Sequence, residues 1–120
     1  MMKRVLAVDD SATLRNMLCD CLRSAGHQVV EAENGQEALD RLRSEKPDIV
    51  ITDLTMPVMD GLDFIAAARS EPEGRGLPML LLTTETAEHL KQRAREIGAT
   101  GWLTKPFDPD TILRLVNQLA

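Results

Sequence analysis

No stretch of the 120 residues approaches the roughly 20 consecutive apolar positions that a membrane-spanning helix needs, which excludes that class at the outset. Cysteine is scarce. Only Cys19 and Cys21 occur, two positions apart; on a helix that spacing points them to different sides, so neither a mutual disulfide nor a metal clip fits. Cys21 is expected in the core and Cys19 at its periphery, a usage that a reducing compartment permits. Positive charge is short as well: 14 Lys and Arg stand against 19 Asp and Glu, a net −5 that repels phosphates and argues against nucleic acid as a general partner. Tyrosine is absent, and Trp102 is the single tryptophan. There is no internal repeat and no low-complexity tract.

What is present is an ordinary globular composition, 43% hydrophobic and 28% charged, in a chain sized for one domain over residues 1–120 with no effector appended. Met1-Met2-Lys3-Arg4 has the basic start of a signal peptide, but Asp9 and Asp10 cut the apolar stretch short. A cytoplasmic first strand is the better reading.

Short β-branched or Leu-rich runs alternate five times with helical patterns, the rhythm of a parallel α/β sheet. Val5 to Val8 is the first strand, followed by a helix capped by Ser11 with Leu14, Met17, Leu18, Cys21, Leu22 and Ala25 on the expected buried face, stopped at Gly26. Gln28 to Ala32 is a second strand. Asn34-Gly35 then turns into a helix with Ala38, Leu39 and Leu42 inward, closed by Pro47. Ile49-Val50-Ile51-Thr52 reads as a strand buried on both faces that delivers Asp53 to its end, and Pro57 begins the loop. Leu62, Ile65 and Ala68 mark the third helix, and Pro72 to Gly76 is the most mobile-looking loop. Pro78 to Leu82 is the fourth strand, ending in Thr83-Thr84-Glu85. The helix from Ala87 to Ile97 has only a thin apolar stripe of Leu90, Ala94 and Ile97 and is the least firmly anchored. Gly101 to Thr104 is the fifth strand, closed by Lys105-Pro106. Asp108-Pro109 starts a last helix with Ile112, Leu115, Val116 and Leu119 inward.

Right-handed strand-helix connections make the five strands parallel, so their carboxyl ends share the rim where open α/β sheets bind ligands. That rim carries Asp9 and Asp10, then Asp53, Thr83 and Lys105. Carboxylates brought within about 4 Å repel by about 4 kcal/mol per pair at an effective dielectric near 20, so either their pKa values rise or a cation joins them. A few carboxylates with waters and a phosphate form the Mg2+ pattern. With that ion a carboxylate can attack a phosphoryl donor while a fixed Lys neutralises its oxygens. Asp9 and Asp10 suit the metal role and Asp53 the nucleophile. Each acid alone could be a helix cap, but these five residues gathered at four strand ends make a caps-only reading a poor one.

Val8-Asp9-Asp10-Ser11, Asp53-Leu54-Thr55-Met56-Pro57 with Met59-Asp60-Gly61, Thr83-Thr84-Glu85, and Gly98 to Trp102 leading to Lys105-Pro106-Phe107 occur here in order and spacing. In these the chain resembles, along nearly its whole length, the receiver domains of bacterial two-component response regulators, most closely the single-domain chemotaxis regulators. The resemblance implies a three-layer α/β/α, flavodoxin-like (CheY-like) (βα)5 fold with strand order 2-1-3-4-5. It implies Asp53 as phosphoacceptor, Asp9 and Asp10 as the acid pocket for Mg2+, and Thr55 as donor of a backbone carbonyl to the metal. Thr83 matches the switch hydroxyl, Lys105 the contact to a phosphoryl oxygen, and the Lys105–Pro106 bond is expected to be cis. Thr55 and Glu85 stand where the family tunes acyl-phosphate hydrolysis. Trp102 stands where it places a rotating aromatic, often Tyr. His27 and His89 have no ligand-spaced partners and are expected to face solvent, and Met17, Met56, Met59 and Met79 read as packing and loop residues.

The expected switch draws Thr83 toward the phosphoryl group, lets Trp102 pack inward, and alters the face of helix four, strand five and helix five. The implied partners are a histidine kinase as donor and the flagellar motor switch protein as target, with a phosphatase as accessory and the protein itself a monomer. A relay intermediate or phosphate sink working with a histidine phosphotransfer protein is the signalling alternative. A Mg2+-dependent phosphohydrolase would want a second acid two residues after the nucleophile, where Thr55 stands, so no enzyme activity is expected beyond the protein's own phosphoryl transfer and autodephosphorylation. A flavin site is disfavoured because Asp9-Asp10 would repel its phosphate.

Overall fold

A computed structural model describes residues 2–120; Met1, part of the basic start considered above, lies outside them. The strands are β1 (Arg4–Val8), β2 (Gln28–Ala32), β3 (Ile49–Thr52), β4 (Met79–Thr83) and β5 (Gly101–Thr104), and the helices α1 (Ala12–Ser24), α2 (Gly35–Glu45), α3 (Gly61–Arg69), α4 (Glu88–Glu96) and α5 (Pro109–Leu119). All pairings are parallel and the order is β2-β1-β3-β4-β5, the expected arrangement. Among the described residues no helix is long and apolar enough to cross a membrane.

Alternation along each central strand builds two cores. Leu6, Val8, Val50, Met79 and Leu81 face the side covered by α2, α3 and α4, where Phe64 and Ile65 are fully buried. Val5, Ala7, Ile49, Ile51, Leu80 and Leu82 face α1 and α5 and pack with Leu22, Ile112 and Val116. Both faces of β1, β3 and β4 are therefore apolar, which is why these strands read as continuous runs.

The first helix is rotated from its expected position. Leu14 and Met17 are 39% and 54% exposed, Ala25 is also outside, and the inward stripe is Leu18, Cys19 and Leu22, with Arg15 half-buried one turn earlier. Cys19, expected at the periphery, is fully buried, and Cys21 is only half-buried. The two registers differ by one residue, about 100° of helix, and the observed one lets Arg15 reach β2. His27 is likewise buried rather than solvent-facing: its Nδ1 accepts a hydrogen bond from the Lys3 backbone N–H at 3.0 Å.

The segment after α3 is fastened rather than loose. Pro72–Gly74 forms a 3-10 turn, Arg43 pairs with Glu71 at 2.6 Å, and a Cβ on Gly74 would sit 1.9 Å from the Ala68 carbonyl oxygen. In contrast, α4 has no capping side chain at Ala87 and buries only Ala94 fully, with Leu90 and Ile97 packed at its edge. It is weakly held, as its thin stripe requires.

Candidate functional site

The loops after β1, β3, β4 and β5 meet at one rim. Capping there is done by other residues: Ser11, Asn34, Asp60 and Asp108 accept from the first-turn N–H groups of α1, α2, α3 and α5. Asp9, Asp10 and Asp53 are thus free of that duty, and one carboxylate oxygen from each falls in a group whose members lie within 4.8 Å of one another.

Asp9 and Asp53 are placed by their backbones. The Asp9 N–H donates to the Ala32 carbonyl at 3.1 Å, continuing the β1–β2 ladder by one residue, and the Asp53 N–H donates to the Val8 carbonyl at 2.8 Å. Asp9 Oδ1 accepts from the Ser11 N–H at 2.9 Å and Asp53 Oδ1 from the Leu54 N–H at 2.8 Å. Lys105 closes the arrangement: its Nζ is 2.9 Å from Asp9 Oδ2 and 3.3 Å from Asp53 Oδ2. Asp9 is buried, Asp53 half-buried and Asp10 exposed, so the cluster opens outward past Asp10.

Burial pushes the Asp53 carboxyl above its ordinary value, and the Asp9 charge adds to this, against the pull of Lys105 and the Leu54 N–H. Burial acts on Lys105 toward the neutral amine, but its bonds and charge interactions with Asp9 and Asp53 outweigh that and hold it above the usual lysine value. The site keeps one ammonium among three acids, a net negative pocket of hard oxygen donors. Such a donor set fits Mg2+.

Thr83 is buried, and its Oγ1 accepts from the Glu85 N–H at 3.2 Å; the Lys105 N–H donates to the Thr83 carbonyl at 2.9 Å, coupling the ends of β4 and β5. The Lys105–Pro106 bond is cis. Trp102 is half-buried on β5, with Nε1 donating to the Glu85 carbonyl at 3.2 Å, and it borders a pocket of about 240 Å³ shared with Ala94, Ala99 and Lys91. Thr55 and Glu85, on the loops that follow β3 and β4, have exposed side chains.

Four site residues were not foreseen. The Thr52 hydroxyl donates to the Asp53 carbonyl at 2.9 Å, and Gly61 lies so close beneath the loop that a Cβ would come 2.2 Å from that same oxygen. Arg15 and Glu31 form a 3.0 Å ion pair, and Arg15 Nη1 donates to the Asp9 carbonyl at 2.6 Å. A sequence signal existed for the last pair. Glu31 is a carboxylate set between the apolar Val30 and Ala32 of β2, and such a group needs a partner.

An acid cluster with one bridging ammonium thus lies at the carboxyl end of a five-stranded parallel sheet, the arrangement that the resemblance to receiver domains implies. The family model for the response regulator receiver domain matches residues 5–117, and this chain belongs to that family. It is 38% identical to protein PilH of Pseudomonas aeruginosa, over 97% of this chain and 96% of that protein. It is 36% identical to chemotaxis protein CheY of Thermotoga maritima, over 98% of both. Among solved structures, the chemotaxis response regulator CheY4 of Vibrio cholerae superposes with a TM-score of 0.91 at 42% identity, covering both chains fully. The chain is therefore a two-component receiver of the CheY and PilH kind.

Proposed function

We propose that the protein acts in the cytoplasm as a stand-alone receiver that takes a phosphoryl group from a histidine kinase onto Asp53. The observation that carries this is the Asp53 carboxylate held 3.3 Å from Lys105 Nζ within the three-acid cluster.

An Asp53 oxygen attacks the phosphorus of the phosphohistidine; the new O–P bond forms as the P–N bond breaks, and the electron pair leaves with the imidazole. The carboxylates of Asp9, Asp10 and Asp53 and the backbone carbonyl of Thr55 would hold Mg2+. That ion, when bound, supplies positive charge against the phosphoryl oxygens. Lys105 stays on the same side and pairs with a further oxygen, exchanging part of its interaction with Asp53 for the more highly charged group. Hydrogen bonds from Leu54 N–H and Thr52 Oγ1 hold the Asp53 carboxylate and carbonyl in place through the reaction.

For output, the Thr83 hydroxyl leaves the Glu85 N–H and donates to the phosphoryl group. This frees the Glu85 segment that accepts from Trp102, so the indole loses its outer anchor and moves toward the pocket beside Ala94. The weakly held α4 then shifts, and the α4-β5-α5 face binds a target, the flagellar motor switch protein in a chemotaxis pathway. Thr55 and Glu85 flank the route by which water reaches the acyl phosphate and set its lifetime.

Trp102 fluorescence tests the reading: it responds to Mg2+ and then to acetyl phosphate, and Asp53→Asn abolishes the second response. An unchanged donor response in that variant removes Asp53 from the role. A pull-down of phosphorylated and unphosphorylated protein against motor-switch and histidine phosphotransfer proteins separates a motor output from a relay.

A further inference from the structure

The Asp9 to Asp10 peptide is held from outside the acid cluster. Its carbonyl oxygen belongs to Asp9, and Arg15 Nη1 donates to it at 2.6 Å from one turn into α1. The same guanidinium donates through Nε to Glu31 Oε1 at 3.0 Å, and the second Glu31 oxygen is held by Arg23 Nη2 at 3.2 Å. Glu31 is opposite Ala7 on β2, and the next residue, Ala32, accepts from the Asp9 N–H. Both backbone polar groups of Asp9 are therefore tied to β2, one directly and one through Arg15.

A peptide unit is planar, so fixing the direction of the Asp9 carbonyl also fixes the direction in which the chain enters Asp10. This matters for Asp10 above all. Asp9 has Ser11 and Lys105 on its carboxylate and Asp53 has Leu54 and Lys105, but among the described residues nothing bonds the exposed Asp10 carboxylate, and only its backbone aims it at the other two. We propose that Arg15, oriented by Glu31, is a positioning residue that turns the Asp9 to Asp10 peptide so that the Asp10 carboxylate joins the cation site. Arg15 thereby raises the affinity for Mg2+. This rests on the reading of the cluster as a Mg2+ site.

The sign of the effect separates positioning from simple electrostatics. Removing a nearby positive charge improves cation binding by Coulomb attraction alone. Positioning demands the opposite, a weaker site, and loss of a group that orients metal ligands costs about 10- to 100-fold in affinity. Arg23 is the internal control, since it shares Glu31 but has no bond to the Asp9 carbonyl.

The experiment is calorimetric titration of unphosphorylated protein with MgCl2, alongside urea unfolding in EDTA. Wild type binding one Mg2+ is the premise; no binding by wild type overturns the metal reading itself. Arg15→Met is expected to bind at least about tenfold more weakly, with Arg23→Gln unchanged or slightly tighter and Glu31→Gln intermediate. At saturating Mg2+ the acetyl phosphate reaction of Arg15→Met returns to near the wild-type rate. Equal or tighter Mg2+ binding by a folded Arg15→Met overturns the proposal, as does a loss of stability with affinity unmoved. Should Arg15→Met fail to fold, Arg15→Lys decides: a single ammonium cannot span both Glu31 and the Asp9 carbonyl with the guanidinium's fork, so weaker Mg2+ binding at unchanged net charge supports positioning and wild-type binding refutes it.

Discussion

Replacing Asp53 by Asn should stabilise the metal-free protein, although it removes the proposed phosphoacceptor. The carboxylate oxygens of Asp9, Asp10 and Asp53 gather within 4.8 Å. At an effective dielectric near 20, each charge pair at that separation costs about 3.5 kcal/mol, so Asp53 meets two such repulsions. Lys105, 3.3 Å away, returns about 5 kcal/mol by the same relation, and burial of the carboxylate adds a further cost. On this relation the two repulsions exceed the Lys105 attraction by about 2 kcal/mol; the upward direction of the Asp53 pKa has burial as its largest cause, which acts in the same sense. The amide keeps the shape and removes the charge, and Lys105 retains its 2.9 Å bond to Asp9. Urea unfolding at pH 7 in EDTA should then give Asp53→Asn a gain of about 1–2 kcal/mol. The pH dependence has a fixed sign. An acid whose folded pKa is raised destabilises the fold above that pKa, and the cost is relieved as pH falls toward the ordinary value of 3.8, so the gap between variant and wild type should narrow on acidification. Added Mg2+ should narrow it too, because wild type gains stability from binding that the variant largely lacks. Destabilisation by Asp53→Asn in EDTA at pH 7 would mean that Lys105 overcompensates the cluster, and the case for a cation-seeking site would fail.

Burial, with the positive charge of Lys3 assisting, holds the His27 imidazole below its ordinary value of 6.5, so His27 supports the fold fully above that value and withdraws support as pH falls through the lowered one. His27→Gln should therefore flatten the stability loss of wild type below about pH 6.5, measured by urea unfolding at several pH values; parallel curves would place His27 outside the acid response. Val58 is 82% exposed with φ of +69°, inside a tight turn closed by a 2.7 Å bond from Met59 N–H to the Pro57 carbonyl, a conformation hostile to a β-branched residue. Val58→Gly should stabilise by roughly 1 kcal/mol, the relieved strain of about 1–2 kcal/mol less the added chain entropy; a lower midpoint in urea would show the turn to be unstrained. Burial, with Glu31 nearby, pushes the Cys19 thiol up to about 11, so Cys21 should react first with a thiol reagent at pH 8, and Cys21→Ser should remove the fast phase.

How far the molecule could be read from its sequence depended on what decided each feature. The strands were legible because both sheet faces are covered, so burial wrote itself into Val5 to Val8 and Ile49 to Ile51 without a break. The rim residues were legible because a strand end is a fixed place, and parallel topology brings Asp9, Asp53, Thr83 and Lys105 to one side whatever the packing details. The rotation of α1 was not. Its two candidate faces, one through Leu14 and Cys21 and one through Arg15 and Cys19, share Leu18 and Leu22, and the hydrophobic pattern prefers the first. What selects the second is polar and non-local: Arg15 reaches Glu31, 16 positions away on β2, and the Asp9 carbonyl beyond the strand end. Periodicity cannot register a contact between two charged residues on different elements, and it scores the very residue that sets the helix as a surface residue. The buried His27 escaped for the same reason, its partner being a backbone N–H across the β1–β2 edge. Turning Arg15 inward has a consequence on the other side of the helix. Leu14 and Met17 are left beside Lys105, Pro106 and Phe107 around a largely apolar cleft of about 160 Å³. The polar contact that holds the acid loop and the apolar surface next to it therefore have one cause, and a variant that rotates α1 toward its hydrophobic register should lose both together.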